Sequence, residues 1–227
     1  SELYATDIAK KNDRLTIGNL DLKPEKNNYF SLSAEYVHER FSVSVNAFYN
    51  NIRDMIDYNT IATGDKAMEQ YGHKEVRQRD NIAEAKVHGI NVSANAYLGA
   101  GFNLSGGYTH LNTQDVELEQ PIDKSIKNAY NINAQWAHSW KIYRLNINLN
   151  GRFNSKRFSK SYGYAPEYQL WDLNTRHSFN LKSVIIEPGC GMENLFDYMD
   201  DRPYNSNYAT LTPGRSFYIS LSLKFKS

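Results

Sequence analysis

The chain has 227 residues, with 26 basic and 25 acidic side chains and a formal net charge of +1, so it carries no electrostatic footprint for nucleic acid. Its mean hydropathy is −0.65 and it holds no run of about 18 apolar residues, which excludes a transmembrane helix but leaves a transmembrane β-barrel open. A single cysteine, Cys190, excludes an internal disulfide, and as a small residue in an alternating segment it is expected to be buried in a strand.

Residues 1–28 show neither a hydrophobic start nor a domain-opening element and read as a long connection. From there the pattern has period two. At 30–36, Phe30, Leu32, Ala34 and Tyr36 alternate with Ser31, Ser33 and Glu35. At 41–49, Phe41, Val43, Val45, Ala47 and Tyr49 form an apolar row. A long segment over 75–98 places Ile90, Val92, Ala94, Ala96 and Leu98 on one face. Further strands are predicted over 102–111, 130–140, 143–153, 170–181 and 184–192. The last predicted strand, over 217–225, holds Phe217, Ile219, Leu221, Leu223 and Phe225 in register. Nine strands and no helix are expected.

The connections sort by length. Those at 38–40, 99–101, 139–141 and 182–183 are tight, while those at 59–74, 112–126, 155–166 and 199–213 are long and polar. Short turns on one side and long loops on the other are the layout of an outer-membrane barrel. The segment 143–153 supports this: Tyr143, Leu145, Ile147, Leu149, Gly151 and Phe153 oppose Arg144, Asn146, Asn148, Asn150 and Arg152. Asparagine is a poor strand former. A row of it suits a hydrated lumen behind a lipid-facing row. Strands of about 9–11 residues cross a bilayer when tilted, so the longer ones should project beyond it. Rings at Tyr29, Phe30, Tyr36, Phe41, Trp136, Trp140, Tyr143, Phe153, Trp171, Phe217 and Phe225 fit interfacial girdles. Nine antiparallel strands cannot close a ring, so the chain is expected to be part of a larger barrel.

Five stretches carry a resemblance. They are 17–36 (IGNLDLKPEKNNYFSLSAEY), 48–58 (FYNNIRDMIDY), the Asn81, Ala85 and Gly89 spacing, 193–204 (ENLFDYMDDRPY) and the closing 213–225. In this order they resemble the C-terminal third of TonB-dependent outer-membrane receptors. Leu20 stands where that family usually has proline, and Asn91 where it has glutamate. The resemblance implies an all-β fold: an antiparallel transmembrane β-barrel, of which this chain supplies the C-terminal nine strands of about 22. It implies that residues 1–227 lack the plug domain and N-terminal strands, and that the protein lies in the bacterial outer membrane. It also implies import of a scarce, bulky nutrient: cobalamin, haem or a ferric siderophore. The implied partners are that ligand, the remainder of the same receptor including its plug, the inner-membrane TonB complex through the absent N-terminal part, a possible surface lipoprotein, and outer-membrane lipid. A passive porin or structural barrel is the alternative, and a secreted β-sandwich adhesin a third reading.

The candidate ligand contacts are aromatic. Tyr162, Tyr164 and Tyr168, with Phe158, surround one long connection, and Tyr204 and Tyr208 lie on the last. Tyrosine brings broad apolar area and a hydroxyl with few rotors, which suits gripping a large, partly apolar ligand. His73, in a long connection, is the histidine to test as an axial haem ligand. His38 falls at a short turn, and His88, His110, His138 and His177 fall in strands as wall residues. Asp115, Glu117, Glu119 and Asp123 are oxygen donors of the kind Ca²⁺ takes but lack EF-hand spacing, so they read as a solvated acidic loop, as do Asp197, Asp200 and Asp201. Arg144, Arg152 and Arg176 read as lumenal wall charges suited to anionic solutes or plug carboxylates. No nucleophile elbow, phosphate loop or zinc-protease motif occurs, and no enzyme activity, metal or cofactor is assigned. The adjacent pairs His138–Ser139 and His177–Ser178 point to opposite faces of a strand and cannot cooperate locally.

Overall fold

Strands of alternating chemistry must pair to satisfy their backbones, and in the computed structural model of the protein they do. It describes residues 9–11, 13–160, 162–200 and 213–226. The elements are β1 (Ala9–Lys11), β2 (Arg14–Ile17), β3 (Lys26–His38), β4 (Phe41–Thr63), α1 (Gly64–Tyr71), β5 (Glu75–Gly99), β6 (Phe102–Asp115), β7 (Asn128–Trp140), β8 (Tyr143–Asn154), β9 (Arg157–Ser159), β10 (Gly163–Ala165), β11 (Tyr168–Asn180), β12 (Val184–Glu193) and β13 (Ser216–Phe225). β3–β4–β5–β6–β7–β8–β11–β12–β13 are neighbours in that order within one sheet. These are the nine strands read from the alternation, running up and down with tight turns between alternate pairs. β4 and β5, at 23 and 25 residues, far exceed a bilayer crossing.

The chain forms two compact units: 1–30, 49–87 and 113–121 make one, and 31–48, 88–112 and 122–227 the other. In the larger unit, two faces separate cleanly. Ile147 sits opposite Trp136 and Thr175, and Leu149 opposite Ala134 and Leu173, while Asn148 sits opposite Gln135 and Asn174. On the apolar side, Ile219 is 89% exposed and Leu32 77%. A continuous exposed apolar surface of this kind in a folded sheet belongs against hydrocarbon. It is edged by rings. Tyr108 stacks on Tyr130 at 4.6 Å, and Tyr130 meets Phe153 at 5.6 Å. Toward the short turns, Phe102, Trp136, Trp140, Tyr143 and Phe179 form a second chain of ring contacts. Gly151 leaves room for the Trp171 ring opposite it, which would lie 2.7 Å from an added Cβ.

Pro188 sits inside β12, between two neighbours, although proline has no N–H for a ladder. The pairing of β11 with β12 passes from Arg176–Gly189 to Phe179–Ile186, skipping His177 and Ser178. The Ser178 hydroxyl instead donates to Glu187 Oε1 at 3.3 Å.

Three expectations are corrected. Cys190 is in a strand but exposed, its Sγ 3.2 Å from the Thr175 hydroxyl, because its face points outward and there is no dry interior behind it. α1 occupies part of the supposed coil: Ala67, Met68, Glu69 and Gln70 are good helix formers, and Ala67 is fully buried with Val76 and Leu15. Residues 1–28 are not wholly coil, since β2 pairs with β5 in parallel. Leu15 enters the small core through that pairing.

Candidate functional site

The polar side of the larger unit carries a cavity of about 570 Å³, lined by Asn133, Gln135, Arg144, Asn146, Asn148, Asn174, Arg176, Glu187 and Tyr218 among others. The asparagines bond to each other across strands. Asn133 Nδ2 donates to Asn148 Oδ1 at 2.7 Å and to Asn150 Oδ1 at 2.5 Å. Farther round the same face Asn46 Nδ2 donates to Ser33 Oγ, and the Ser44 and Ser93 hydroxyls pair, both at 2.7 Å. An amide row therefore substitutes cross-strand polar bonds for the packing a strand usually gains. Arg144 and Arg176 line this cavity as expected, and Arg152 lies 4.0 Å from Asp172. Glu187 pairs with Lys224 at 2.7 Å.

The connection between β8 and β11 is folded. β9 and β10 form a hairpin in which Tyr164 pairs with Phe158, and their rings meet edge to face at 5.3 Å. Tyr162 and Tyr164 are 53% and 55% exposed. Tyr168 differs: half-buried at the start of β11, it stacks on Tyr198 at 5.6 Å and packs one connection to another. Tyr204 and Tyr208 lie outside the described residues.

Two of the resembling stretches prove to be backbone clips. In the smaller unit, Asn81 Oδ1 accepts from Lys23 N at 2.7 Å, while its Nδ2 donates to Lys23 O at 2.9 Å and Asp54 O at 2.6 Å. Glu25 Oε1 accepts from Ile56 N at 2.9 Å. One asparagine thus joins 17–25, β4 and β5. Its replacement by alanine is expected to cost about 1–3 kcal/mol, the net worth of three partly solvated bonds. Faster amide hydrogen exchange at Lys23 in Asn81→Ala, with the β7–β8 amides unchanged, is the result to look for. In the larger unit Asn194, 4% exposed and at φ 52°, does the same for the last connection. Its Nδ2 donates to Tyr198 O at 2.7 Å and Pro213 O at 3.1 Å, and its Oδ1 accepts from Tyr198 N at 2.8 Å. Asp197 Oδ1 accepts from Arg215 N at 2.6 Å. Alternation alone could not find these bonds; the signal was the spacing of the two boxes.

The other candidates are scattered. His73 is half-buried in the turn after α1, beside the left-handed Gly72 that ends the helix. Among the described residues no three of His, Cys, Asp and Glu are placed to hold a metal ion. Asp115 Oδ1 accepts from Leu118 N and Asp123 Oδ1 from Lys160 N, so both carboxylates cap backbone. His138 stacks on Trp136, and His177 Nδ1 lies 2.7 Å from the Tyr143 hydroxyl, both as wall residues. A group not anticipated is Tyr58 with Arg77 3.9 Å over its ring and Arg79 Nη2 donating to its hydroxyl at 3.3 Å.

The family described as TonB dependent receptor-like, beta-barrel matches residues 1–195. A probable TonB-dependent siderophore receptor, PiuA of Acinetobacter baumannii, is 28% identical over 162 residues, covering 64% of this chain and 21% of that protein. BauA, the ferric preacinetobactin receptor of A. baumannii, superposes with a TM-score of 0.67 at 17% identity, over 89% of this chain and 30% of its own. A variant of the ferric enterobactin receptor of Pseudomonas aeruginosa, solved with enterobactin, gives a TM-score of 0.69 at 21% identity, over 93% and 33%. The two solved structures speak to fold. The chain spans about a fifth to a third of the length of these relatives.

Proposed function

Because this chain belongs to the TonB-dependent receptor β-barrel family, we propose that it is the C-terminal part of a receptor that imports a ferric siderophore. Proteins of this family lie in the outer membrane, and the two chains of rings bordering the apolar face suit its two interfaces. The observation that carries the siderophore reading is the 28% identity to a probable siderophore receptor, which favours it over cobalamin and haem. On this reading Tyr162 and Tyr164 face the ligand, with Tyr204 and Tyr208 from the last connection, while Tyr168 positions one loop against another. The Asn-lined face borders the hydrated passage and the plug, and Arg144 and Arg176 meet carboxylates there. Energy comes from the inner-membrane TonB complex through parts of the receptor outside these residues.

The test is uptake of labelled iron by cells carrying the complete receptor. Iron supplied as a siderophore complex is expected to accumulate, to stop when the proton gradient is collapsed, and to be unchanged by His73→Ala. Uptake of haem or cobalamin in its place, or uptake indifferent to the gradient as in a passive porin, would overturn the reading.

A further inference from the structure

The short turns all lie on one side of the sheet, but they differ in charge. The turn after β3 holds Glu39 and Arg40 together, and the turn after β5, at 99–101, holds no charged residue. The ends of β7, β11 and β13 share another pattern: an exposed apolar side chain followed directly by an exposed lysine. The pairs are Trp140–Lys141, Leu181–Lys182 and Phe225–Lys226.

Backbone bonds join these three ends into one ledge. Asn180 N donates to Ile142 O at 2.7 Å, Leu181 N to Val184 O at 2.9 Å and Lys226 N to Ser183 O at 3.0 Å. Lys226 Nζ donates to Asn180 Oδ1 at 2.5 Å and to Leu181 O at 2.7 Å, so neutral acceptors hold its charge beside Lys182. None of the three lysines forms an ion pair with a described carboxylate, and Glu187, farther along β12, is paired with Lys224 at 2.7 Å. Rings border the ledge on the apolar face. Trp140 stacks on Tyr143 at 5.6 Å, and Tyr143 meets Phe179 at 5.1 Å.

We infer that this ledge binds an anionic phospholipid of the periplasmic leaflet, with its phosphate at Lys141, Lys182 and Lys226 and its acyl chains along Trp140, Tyr143 and Phe179. Short turns mark the periplasmic side of such a barrel, and that leaflet of the outer membrane is built from phospholipid. The inference stands on the membrane placement and is independent of which nutrient is imported. An occupant of this surface needs a charged end joined to a greasy one. A lipid has both, whereas free phosphate or an acidic peptide would meet the lysines alone. Cations fixed on bonded turns are pre-placed, so an anionic headgroup gains attraction from several at once with little ordering cost. A zwitterionic headgroup brings its own ammonium against the same lysines and loses most of that gain.

The experiment compares the complete receptor with a K141Q/K182Q/K226Q triple variant and its K141R/K182R/K226R counterpart. Each is titrated in detergent with cardiolipin or phosphatidylethanolamine, and bound lipid is counted by native mass spectrometry. The native receptor is expected to prefer cardiolipin. The glutamine triple is expected to bind cardiolipin about tenfold or more weakly, with phosphatidylethanolamine binding unchanged. The arginine triple is expected to match the native receptor, which separates charge from misfolding. Equal native affinity for the two lipids, or a cardiolipin affinity unchanged in the glutamine triple, would overturn the inference. Displacement of cardiolipin by excess glycerol phosphate would overturn it too and assign the ledge to free phosphate. Unchanged cardiolipin binding in the glutamine triple, with binding of a polyglutamate peptide lost, would assign the ledge to an acidic protein instead. In all of these cases import of a ferric siderophore would still stand.

Discussion

Asn194→Ala is expected to weaken the anchoring of the last connection by about 3–5 kcal/mol. Two causes act together. Alanine removes three side-chain bonds, leaving Tyr198 N, Tyr198 O and Pro213 O to find partners in a place with little water. It also inherits φ 52°, a left-handed backbone where a Cβ is unwelcome. Asn194→Gly separates the causes: it relieves the backbone and still lacks the bonds, so it is expected to recover only about 1 kcal/mol. The measurement is protease sensitivity of the complete receptor between 199 and 213. Alanine and native receptors cleaved at the same rate would mean that the observed bonds do not hold these ends. Asp172, which accepts from Asn194 N at 3.0 Å, gives a milder control, since its loss spares the three side-chain bonds.

Adjacent residues of β8 give the second contrast. Ile147→Arg is expected to destabilise the receptor by about 2–4 kcal/mol, the cost of placing a cation on the lipid face near the midplane. Asn148→Arg is expected to cost far less, because its side chain enters the wet cavity beside Asn146 and Asn174. Reversible unfolding of the two variants in lipid vesicles would read the difference. Equal costs would remove the assignment of faces on which the membrane reading depends. The place within β8 sharpens the expectation: on its face Ile147 lies between the rings of Tyr143 and Phe153, away from either end of the strand, so an arginine there has farther to reach to the headgroups than one at either ring.

The nine long strands were legible because lipid and water impose period two on the whole length of a strand, as in the row from Tyr143 to Phe153. Tight turns were legible for a related reason. Gly99 and Gly101, at φ 91° and 86°, and Lys141, at φ 43°, mark reversals too short to hide in a composition average. The long connections were not legible. α1 is eight residues, too short for a periodic signal, and its Ala67 is buried by β2, which lies more than fifty residues earlier in the chain. The β9–β10 hairpin consists of three-residue strands held largely by bonds from 123–125, contacts that no local pattern announces. Cys190 was misread by a habit suited to water-soluble sheets, where a small residue in an apolar row means burial; here the apolar row is the outside. Composition points to tyrosines in this connection, whereas the exposure of Tyr162 and Tyr164 and the stacking of Tyr168 on Tyr198 required the fold.

The clip at Asn194 has an evolutionary side. With Tyr198 and Pro213 tied to one side chain, the two points of the chain that flank residues 201–212 are held together, and changes in the length between them are expected to add little to the entropy of closure. Substitutions and insertions there are expected to exert little leverage on β12 or β13. An outer-membrane protein meets phages, toxins and antibodies, and such an anchor lets one connection diversify while the strands it joins keep their register; a foreign epitope spliced between Tyr198 and Pro213 is expected to leave insertion into the envelope undisturbed.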